Sequence, residues 1–587
     1  MRILVRIFAA IGFMLVLSVL AGVVIGFWFS SETVVSLPDR MVLNFNFSRP
    51  VLEQVQTDPL TAALGDQQVT LRVLVNALER ARKDDRVAGF VANVSDVGME
   101  PAQVEEVRAA VKRFRDSGKF AFAFADSFGE GGPSARQYWL ASAFDEIWLQ
   151  PLGQLGLDGP AMSVPFAREA LDRFGIVADM HERHEYKGAA DTFTRAEMPA
   201  PLRENYQRLL NDMKARIVAD IADSRKLDAA EVSRLMDRSP LLANDALEAK
   251  LIDHIGYADQ FRDAAEAKGG EEAENVDLID YSYVAKPDVP EDTPRVALIN
   301  VNGPIVRLDD ETGPFGESAT VSAETVVAAL EEAAEDPAYS AILIRVDSPG
   351  GSVTASESIH RAILKAREAG KYIVVSMGAT AASGGYWIAT AADRVVADAT
   401  TITGSIGVLS GKVVFGPLSE RLGVNWTELT TSRNGGMWSS TRPFNAREMQ
   451  RIDAMLDEIY AAFLKHVGEG RNIPENKLDA LARGRIWTGQ TAKELGLVDE
   501  LGGMRTGFDA IRAHLNLPEE QLLRVSQLPR PETPAEQVMK ILRYYITMPG
   551  LKPVAFGEIL NGLQSRLGLS PAGSLYFMLP GFGETRF

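Results

Sequence analysis

Residues 381–387 read Ala-Ala-Ser-Gly-Gly-Tyr-Trp, which places Ser383 in a glycine-rich turn in front of an apolar run. An earlier stretch, residues 133–139, reads Pro-Ser-Ala-Arg-Gln-Tyr-Trp. When the two Tyr-Trp pairs are superposed, the offset is 248 positions and Ala135 falls opposite Ser383. At the same offset, Lys187 falls opposite a glycine. One copy has the serine without the lysine and the other has the lysine without the serine, which suggests one active site shared between two diverged halves.

The similarity between the halves extends along the chain. Further matched pairs are Asp145 with Asp393, Gly156 with Gly404, and Leu251-Ile252-Asp253 with Leu497-Val498-Asp499. A period of about 250 residues is too long for a solenoid, so the sequence predicts a fused pair of domains. The predicted parts are a first repeat at 40–284, a linker at 285–294 with three prolines, a second repeat at 295–520 and a C-terminal tail at 521–587, to which we assign no function.

The second half alternates between strand and helix patterns. Short β-type apolar runs occupy 296–301, 341–346 and 372–377, and helical spacing of apolar residues occupies 323–334 and 356–369. Strands separated by helices form parallel crossover units, so we predict an α/β fold.

Composition excludes several classes of function. The net charge of −18 argues against a nucleic-acid partner, because such binding needs a basic surface. The chain has no cysteine, which excludes disulfides, a thiol nucleophile and thiolate metal sites.

The N-terminus predicts a membrane anchor. Arg2 and Arg6 precede residues 7–31, which carry no charged side chain. About 20 apolar residues suffice for a helix to span a bilayer, and we expect one transmembrane helix at 7–29. The arginines should keep residues 1–6 in the cytoplasm and place the rest across the membrane. A cleaved signal peptide is the alternative, although its apolar region is usually shorter.

Two glycine-rich turns in the second half have the character of catalytic loops. Residues 347–352, Asp-Ser-Pro-Gly-Gly-Ser, follow a strand and precede a helix, so their amides can stabilise an oxyanion. The turn at 382–385 also joins a strand to a helix, and its glycines allow a sharp bend that exposes the Ser383 hydroxyl. Either turn alone is explained equally well as a tight strand–helix connection. The two turns together indicate a catalytic site more strongly than either turn does alone.

A serine nucleophile needs a base. No histidine lies between His360 and His466, and neither of these two is suitably placed. His181 and His184 form a His-x-x-His pattern that suggests a metal, but an exposed polar turn explains them as well. A neutral lysine remains, provided that burial depresses its pKa. Lys187 is the candidate, with an ordinary surface lysine as the alternative.

At these residues the chain resembles a known family. Residues 347–352, 381–387 and Thr403-Gly404-Ser405-Ile406-Gly407 are similar to signal peptide peptidase A, peptidase family S49, in its long, duplicated bacterial form. The resemblance covers nearly the whole chain, with one departure at Glu185, where the family often has a lysine. It implies two tandem Clp/crotonase-like α/β domains.

The resemblance also implies the roles of individual residues. Ser383 would be the nucleophile, Lys187 the general base and Ser405 a hydrogen-bonding partner that orients the lysine. The amides of Gly351 and Gly384 would hold the oxyanion of an acyl-transfer reaction. We expect no cofactor and no metal.

The expected biology follows from the same resemblance. The family assembles as a bowl-shaped tetramer and degrades remnant signal peptides, so the expected partners are apolar peptides, the membrane and further copies of this chain. We expect the catalytic part on the periplasmic side of the bacterial inner membrane. Two alternatives are a crotonase-like acyl-CoA enzyme, which uses the same turns without a serine nucleophile, and a catalytically inactive scaffold of protease ancestry.

Overall fold

The structure, a computed structural model, describes residues 36–54, 69–132, 134–285, 289–308, 320–530, 536 and 585–586. Its strands are β1 Met41–Asn46, β2 Val51–Leu52, β3 Val69–Thr70, β4 Val87–Asn93, β5 Phe120–Ala125, β6 Glu146–Leu149, β7 Gln154–Leu155, β8 Ala161–Met162, β9 Val177–Arg183, β10 Leu241–Leu242, β11 His254–Ile255, β12 Glu274–Asp277, β13 Arg295–Asn302, β14 Ile305–Val306, β15 Val321–Ser322, β16 Tyr339–Ser348, β17 Tyr372–Ala382, β18 Arg394–Ala397, β19 Ile402–Gly404, β20 Val408–Val414, β21 Ile486–Thr488, β22 Glu500–Leu501, β23 Arg524–Leu528 and β24 Thr585–Arg586.

The helices alternate with these strands over most of the chain. They are α1 Leu71–Ala81, α2 Pro101–Asp116, α3 Ala135–Ala141, α4 Arg168–Phe174, α5 Asp191–Thr194, α6 Ala200–Arg225, α7 Ala229–Met236, α8 Ala243–Glu248, α9 Ala258–Gly269, α10 Leu278–Val284, α11 Ala323–Glu335, α12 Val353–Glu368, α13 Gly384–Ala389, α14 Gly416–Arg421, α15 Ala446–Arg471, α16 Glu475–Leu481, α17 Gly489–Glu494 and α18 Met504–His514. The predicted α/β alternation is confirmed.

A parallel sheet with the order β11-β6-β5-β4-β1-β12 forms the core of the first half. Strand β5 reads Phe-Ala-Phe-Ala-Phe-Ala and is buried along almost its whole length. Its alanines face one apolar cluster, and Phe122 and Phe124 face a second cluster that includes Phe261 of α9. Helices therefore cover both faces, as a parallel sheet requires.

The second half contains a larger sheet along the path β21-β19-β17-β16-β13-β23, with β18 paired to β17 and β22. All of its pairings are parallel except that of β19 with β21. Strand β17 is long enough to pair with β18 near its start and with β19 at its end. The end of β17 leads directly to Ser383.

Hydrogen bonds recur at matched positions of the two halves. The Tyr138 hydroxyl donates to the Leu251 carbonyl at 2.7 Å, and the Tyr386 hydroxyl donates to the Leu497 carbonyl at 2.9 Å. In the same way, a carboxylate accepts the amide of a neighbouring strand in each half, Asp145 from Ala121 and Asp393 from Ile373. The residues matched by sequence thus make equivalent contacts.

Strand pairing and buried ion pairs are among the contacts that hold the halves together. Strand β9 of the first half pairs antiparallel with β20 of the second, from Val177 opposite Val414 to Arg183 opposite Val408. In addition, the buried Arg345 guanidinium donates to Glu53 at 2.9 Å and to Glu106 at 2.6 Å. Burying these charges is tolerable because they are paired with one another.

Some sequence predictions fall on residues that the structure does not describe. The predicted transmembrane helix at 7–29 lies outside the described residues, as do residues 286–288 of the linker and almost all of the tail after residue 530. Within the described ranges, no helix combines the length and the apolar character that crossing a membrane requires.

Candidate active site

Ser383 occupies a strained turn between β17 and α13. Its backbone has φ 54° and ψ −117°, a conformation that a residue with a side chain rarely adopts. The turn is held by hydrogen bonds from the Ser383 amide to the Gly404 carbonyl and from the Trp387 amide to the Ser383 carbonyl. Such strain costs about 1–3 kcal/mol and is found mainly at functional sites. A serine on a sharp strand-to-helix turn is the arrangement that presents a nucleophile.

Lys187 of the first half lies beside Ser383 of the second. Its Nζ atom is 2.9 Å from Ser383 Oγ, and it also contacts the carbonyl oxygen and the hydroxyl of Ser405 at 2.9 and 2.8 Å. The residue is 5% exposed. Burial lowers the pKa of Lys187 to about 7, while the charge of Glu182 acts in the opposite direction. The neutral form of this amine, which can accept a proton, is therefore far more accessible near pH 7 than it is in an ordinary lysine.

The ribbon of β9 and β20 explains how Lys187 reaches the serine. The turn at 405–407 joins β19, which pairs with the end of β17, to β20, which pairs with β9. Lys187 follows β9 in a turn closed by its own amide on the His184 carbonyl. Gly484 packs against this turn with φ 85°, and a Cβ atom there would lie 2.4 Å from the Lys187 nitrogen. A side chain at position 484 would therefore displace Lys187.

Ser405 is the second residue that contacts the Lys187 amine. It has φ 52°, and its amide donates to the Arg485 carbonyl at 2.7 Å. The Ser405 hydroxyl and carbonyl both contact Lys187 Nζ. With Ser383, they give the amine three oxygen neighbours and restrict its position.

The two glycine-rich turns predicted from the sequence meet at Ser383. A Cβ atom on Gly350 would lie 2.6 Å from the Gly384 nitrogen, and one on Gly384 would lie 3.2 Å from the Gly351 nitrogen. Gly350 has φ 101°, so glycine is favoured there for its backbone conformation as well. Among the described residues, neither the Gly351 nor the Gly384 amide donates to a turn or loop carbonyl. Both amides are thus close to the serine and available to an oxyanion.

Glu182 is a component of the site that the sequence did not indicate. Its Oε2 atom is buried without a hydrogen-bonding partner in the described part of the chain. Burial, together with nearby Asp191, raises the pKa of Glu182 to about 7. Glu182 lies five positions before the lysine within a run of charged and polar residues, so nothing in the sequence separates it from surface carboxylates.

Glu185 is paired with Arg483 and not with Lys187 or Ser383. Its carboxylate accepts hydrogen bonds from Arg483 at 2.9 Å, and the same ion pair holds the pKa of Glu185 below its ordinary value. The acidic residue at this position therefore does not form an ion pair with Lys187.

The two histidines of the His-x-x-His pattern, His181 and His184, have separate partners in the structure. His181 contacts Asp179 at 2.9 Å and the His184 ring packs against Tyr460, so the His-x-x-His pair does not form a cluster of potential ligands in the described ranges. His360 and His466, by contrast, lie against each other with ring centroids 4.0 Å apart. Burial lowers the pKa of His360 to about 4, which makes its imidazole neutral at pH 7.

The first half does not repeat the serine–lysine pair. Ala135, the sequence match to Ser383, is the first residue of α3, and the preceding Ser134 is buried with its hydroxyl donating to the Gly156 carbonyl. The serine at this end of α3 is thus used in a structural hydrogen bond.

Comparison with known proteins identifies similar chains. A family model described as peptidase family S49 matches residues 113–271 and 365–517, and the Clp protease model matches residues 315–402. Protease 4 of Salmonella typhi is 32% identical over 79% of this chain and 76% of that protein, and Protease 4 of Haemophilus influenzae is 30% identical over 76% and 72%. The chloroplastic serine protease SPPA of Arabidopsis thaliana is 26% identical over 90% of this chain and 78% of that protein.

Proposed function

The chain belongs to peptidase family S49 and is a serine protease, and we propose that it cleaves peptides with Ser383 as nucleophile and Lys187 as general base. The observation that carries this assignment is the 2.9 Å contact between Lys187 Nζ and Ser383 Oγ in a buried setting. Any base must lie within hydrogen-bonding reach of the proton that it removes, and Lys187 meets this requirement.

In the proposed mechanism, neutral Lys187 removes the Ser383 proton as the serine oxygen attacks a peptide carbonyl. The resulting ammonium is stabilised by the carbonyl and hydroxyl oxygens of Ser405. Lys187 then returns the proton to the leaving amine, and the acyl-enzyme forms. Water attacks this ester in the second half of the cycle, with Lys187 again as the base.

The amides of Gly351 and Gly384 are the proposed oxyanion hole. Negative charge develops on the former carbonyl oxygen of the substrate, and fixed N–H groups stabilise it without reorganisation. One such donor typically contributes about 100–1000-fold to kcat. The proximity of the two glycines to the Ser383 turn supports this role.

We propose apolar peptides, including remnant signal peptides, as substrates and the periplasmic side of the inner membrane as the location. Two features support this proposal. The uncharged residues 7–31 behind Arg2 and Arg6 have the composition of a membrane anchor, and the chain resembles a family with this substrate class. An enzyme tethered beside the bilayer would encounter peptides as they leave it.

We also propose a homotetramer. Five large apolar side chains are exposed in the segments that precede β9 and follow β20: Phe174 (64% exposed), Leu422 (72%), Trp426 (62%), Leu429 (91%) and Trp438 (57%). Exposed apolar side chains that form a patch commonly mark a protein–protein contact, and we propose that these residues contribute to one. Sedimentation of the full chain in detergent, with Leu429→Asp as a disrupting variant, tests the assembly.

A serine-reactive covalent probe tests the catalytic assignment. We expect mass spectrometry of the labelled full chain to map the modification to Ser383. Ser383→Ala should lose labelling and cleavage of an apolar signal-peptide fragment. Ser358→Ala, which removes an exposed serine on α12, should retain both. Modification of another serine, or turnover of an acyl-CoA thioester with no peptide cleavage, would refute the proposal.

A further inference from the structure

Glu357, His360 and His466 form a cluster outside the proposed catalytic site. Glu357 and His360 are three residues apart on α12, which places them on one face of that helix. His466 projects from the facing helix α15. One ligand atom from each of the three side chains lies within 4.8 Å of the other two.

This donor set suits one class of ion. Two imidazoles and a carboxylate are the ligands of many zinc sites, with a fourth position left for water. In a tetrahedral zinc site the ligand atoms are roughly 3.3 Å apart, given bonds of about 2.0–2.1 Å. Glu357 Oε2 and His466 Nε2 are already 3.0 Å apart. The Glu357 side chain is 51% exposed, so a small change in its position can close the remaining distance.

His360 supplies an independent indication. The residue is only 5% exposed, yet its imidazole makes no hydrogen bond to any residue that the structure describes. Its ring lies instead against the ring of His466. A neutral imidazole keeps one nitrogen lone pair that can accept a hydrogen bond or ligate a metal. A coordinated cation would satisfy the His360 nitrogen that faces His466 and Glu357.

The cluster also contacts the helix that follows the nucleophile. Trp387 of α13 donates its indole N–H to Glu357 Oε2 at 2.9 Å, and its ring lies 5.1 Å from that of His466. The Trp387 amide in turn donates to the Ser383 carbonyl. Trp387 thus has the position of an outer-shell residue that orients a ligating carboxylate.

We propose that Glu357, His360 and His466 bind a divalent transition-metal ion of the zinc class at the junction of α12, α13 and α15. The site is separate from the Ser383–Lys187 pair, and the ion would fix α12 and α15 against the helix that carries the nucleophile turn. Its occupancy should therefore raise the thermal stability of the chain, since an ion that binds the folded state stabilises it.

Cobalt binding to the full chain, purified without a polyhistidine tag, tests this proposal. We expect stoichiometric Co²⁺ to produce the visible absorption of a tetrahedral cobalt site, Zn²⁺ to abolish it by displacement, and either ion to raise Tm. Glu357→Gln replaces a proposed carboxylate ligand by an amide of the same shape, and it should weaken binding by more than the roughly 10–100-fold loss that is typical of changes outside the ligand set. His360→Gln and His466→Gln should each remove the absorption.

A matched control is available in the first half. His254 lies 3.2 Å from Glu146 and stacks on Trp148, but the described residues provide no second histidine there. His254→Gln should therefore leave the cobalt spectrum and the zinc-induced shift in Tm unchanged. Absence of a stoichiometric cobalt spectrum in the unmodified chain, or a spectrum that survives both Glu357→Gln and His466→Gln, would overturn the proposal.

Discussion

Lys187 Nζ lies 2.9 Å from Ser383 Oγ, although 196 positions separate the two residues along the chain. Each comes from a different half, and the β9–β20 ribbon aligns the two halves at this point. Neither half alone contains both groups. The duplication therefore survives as one composite site, in which one copy supplies the proposed nucleophile and the other supplies its proposed base.

Loss of either group should be nearly as damaging as loss of both. We expect Ser383→Ala and Lys187→Ala each to lower kcat by at least about 10⁴-fold and the double variant to be little worse, because residues that act as a unit are not additive. Steady-state hydrolysis of an apolar peptide measures this. The exposed Lys493→Ala is the control and should keep full activity. Multiplicative losses would show that Lys187 acts apart from the serine.

Ser405→Ala should affect catalysis more than substrate binding. The hydroxyl contacts Lys187 at 2.8 Å, and the Ser405 carbonyl remains in the variant. Losing one hydrogen bond of about 1.5 kcal/mol should lower kcat roughly tenfold with little change in KM. Separate determination of kcat and KM tests this prediction. An unchanged kcat would mean that Ser405 does not position the base.

Gly484→Ala should disable the site without touching a catalytic side chain. Its new methyl group would press on the Lys187 backbone, and a displacement of about 1 Å can cost roughly 100-fold in kcat. Gly496→Ala is the matched control, because Gly496 also has a positive φ of 79° but nothing lies within 4 Å of its added Cβ. Both variants bear the same backbone strain. Equal kcat values for the two would contradict the prediction.

The alternation of strands and helices could be predicted because the apolar residues that form the core recur along the chain with the spacing of strands and helices. Strand β16 and helices α11 and α12 lie where apolar runs and helical spacing placed them, within a few residues. The predicted strand at 372–377 is too short, however, since β17 continues to Ala382. Its last residues include a glycine and a threonine that lack the apolar signature, and the strand continues because β19 pairs with residues 380–382.

The sequence singled out Ser383 and Lys187 because each of the two copies lacks the residue that the other keeps, and the structure places the two side chains together. The residues that surround these two side chains could not be predicted from the sequence. Gly484 and Glu182 approach Lys187 only through the fold, and the pairing of His360 with His466 depends on how α12 packs against α15. Gly484 and Lys187, like His360 and His466, are more than 100 positions apart, and Glu182 is not distinguishable in sequence from the charged residues around it, so none of these contacts leaves a recognisable pattern in a single sequence.

Lys187 and Glu182 together should determine how activity depends on pH. Burial lowers the pKa of Lys187 to about 7, and Glu182 is the carboxylate whose charge raises it. Only neutral Lys187 accepts the Ser383 proton in the proposed mechanism, so kcat/KM should increase as the pH rises through about 7 and then level off.

Removing the Glu182 charge should shift this profile to lower pH. In Glu182→Gln the ammonium form of Lys187 loses a favourable interaction, so its pKa falls and the amine becomes neutral under more acidic conditions. Glu185→Gln is the control, because that carboxylate is held by Arg483 and should leave the profile in place. The measurement is kcat/KM of the full chain and both variants from about pH 5 to 9. A flat profile, or equal shifts in the two variants, would exclude Lys187 as the titrating base.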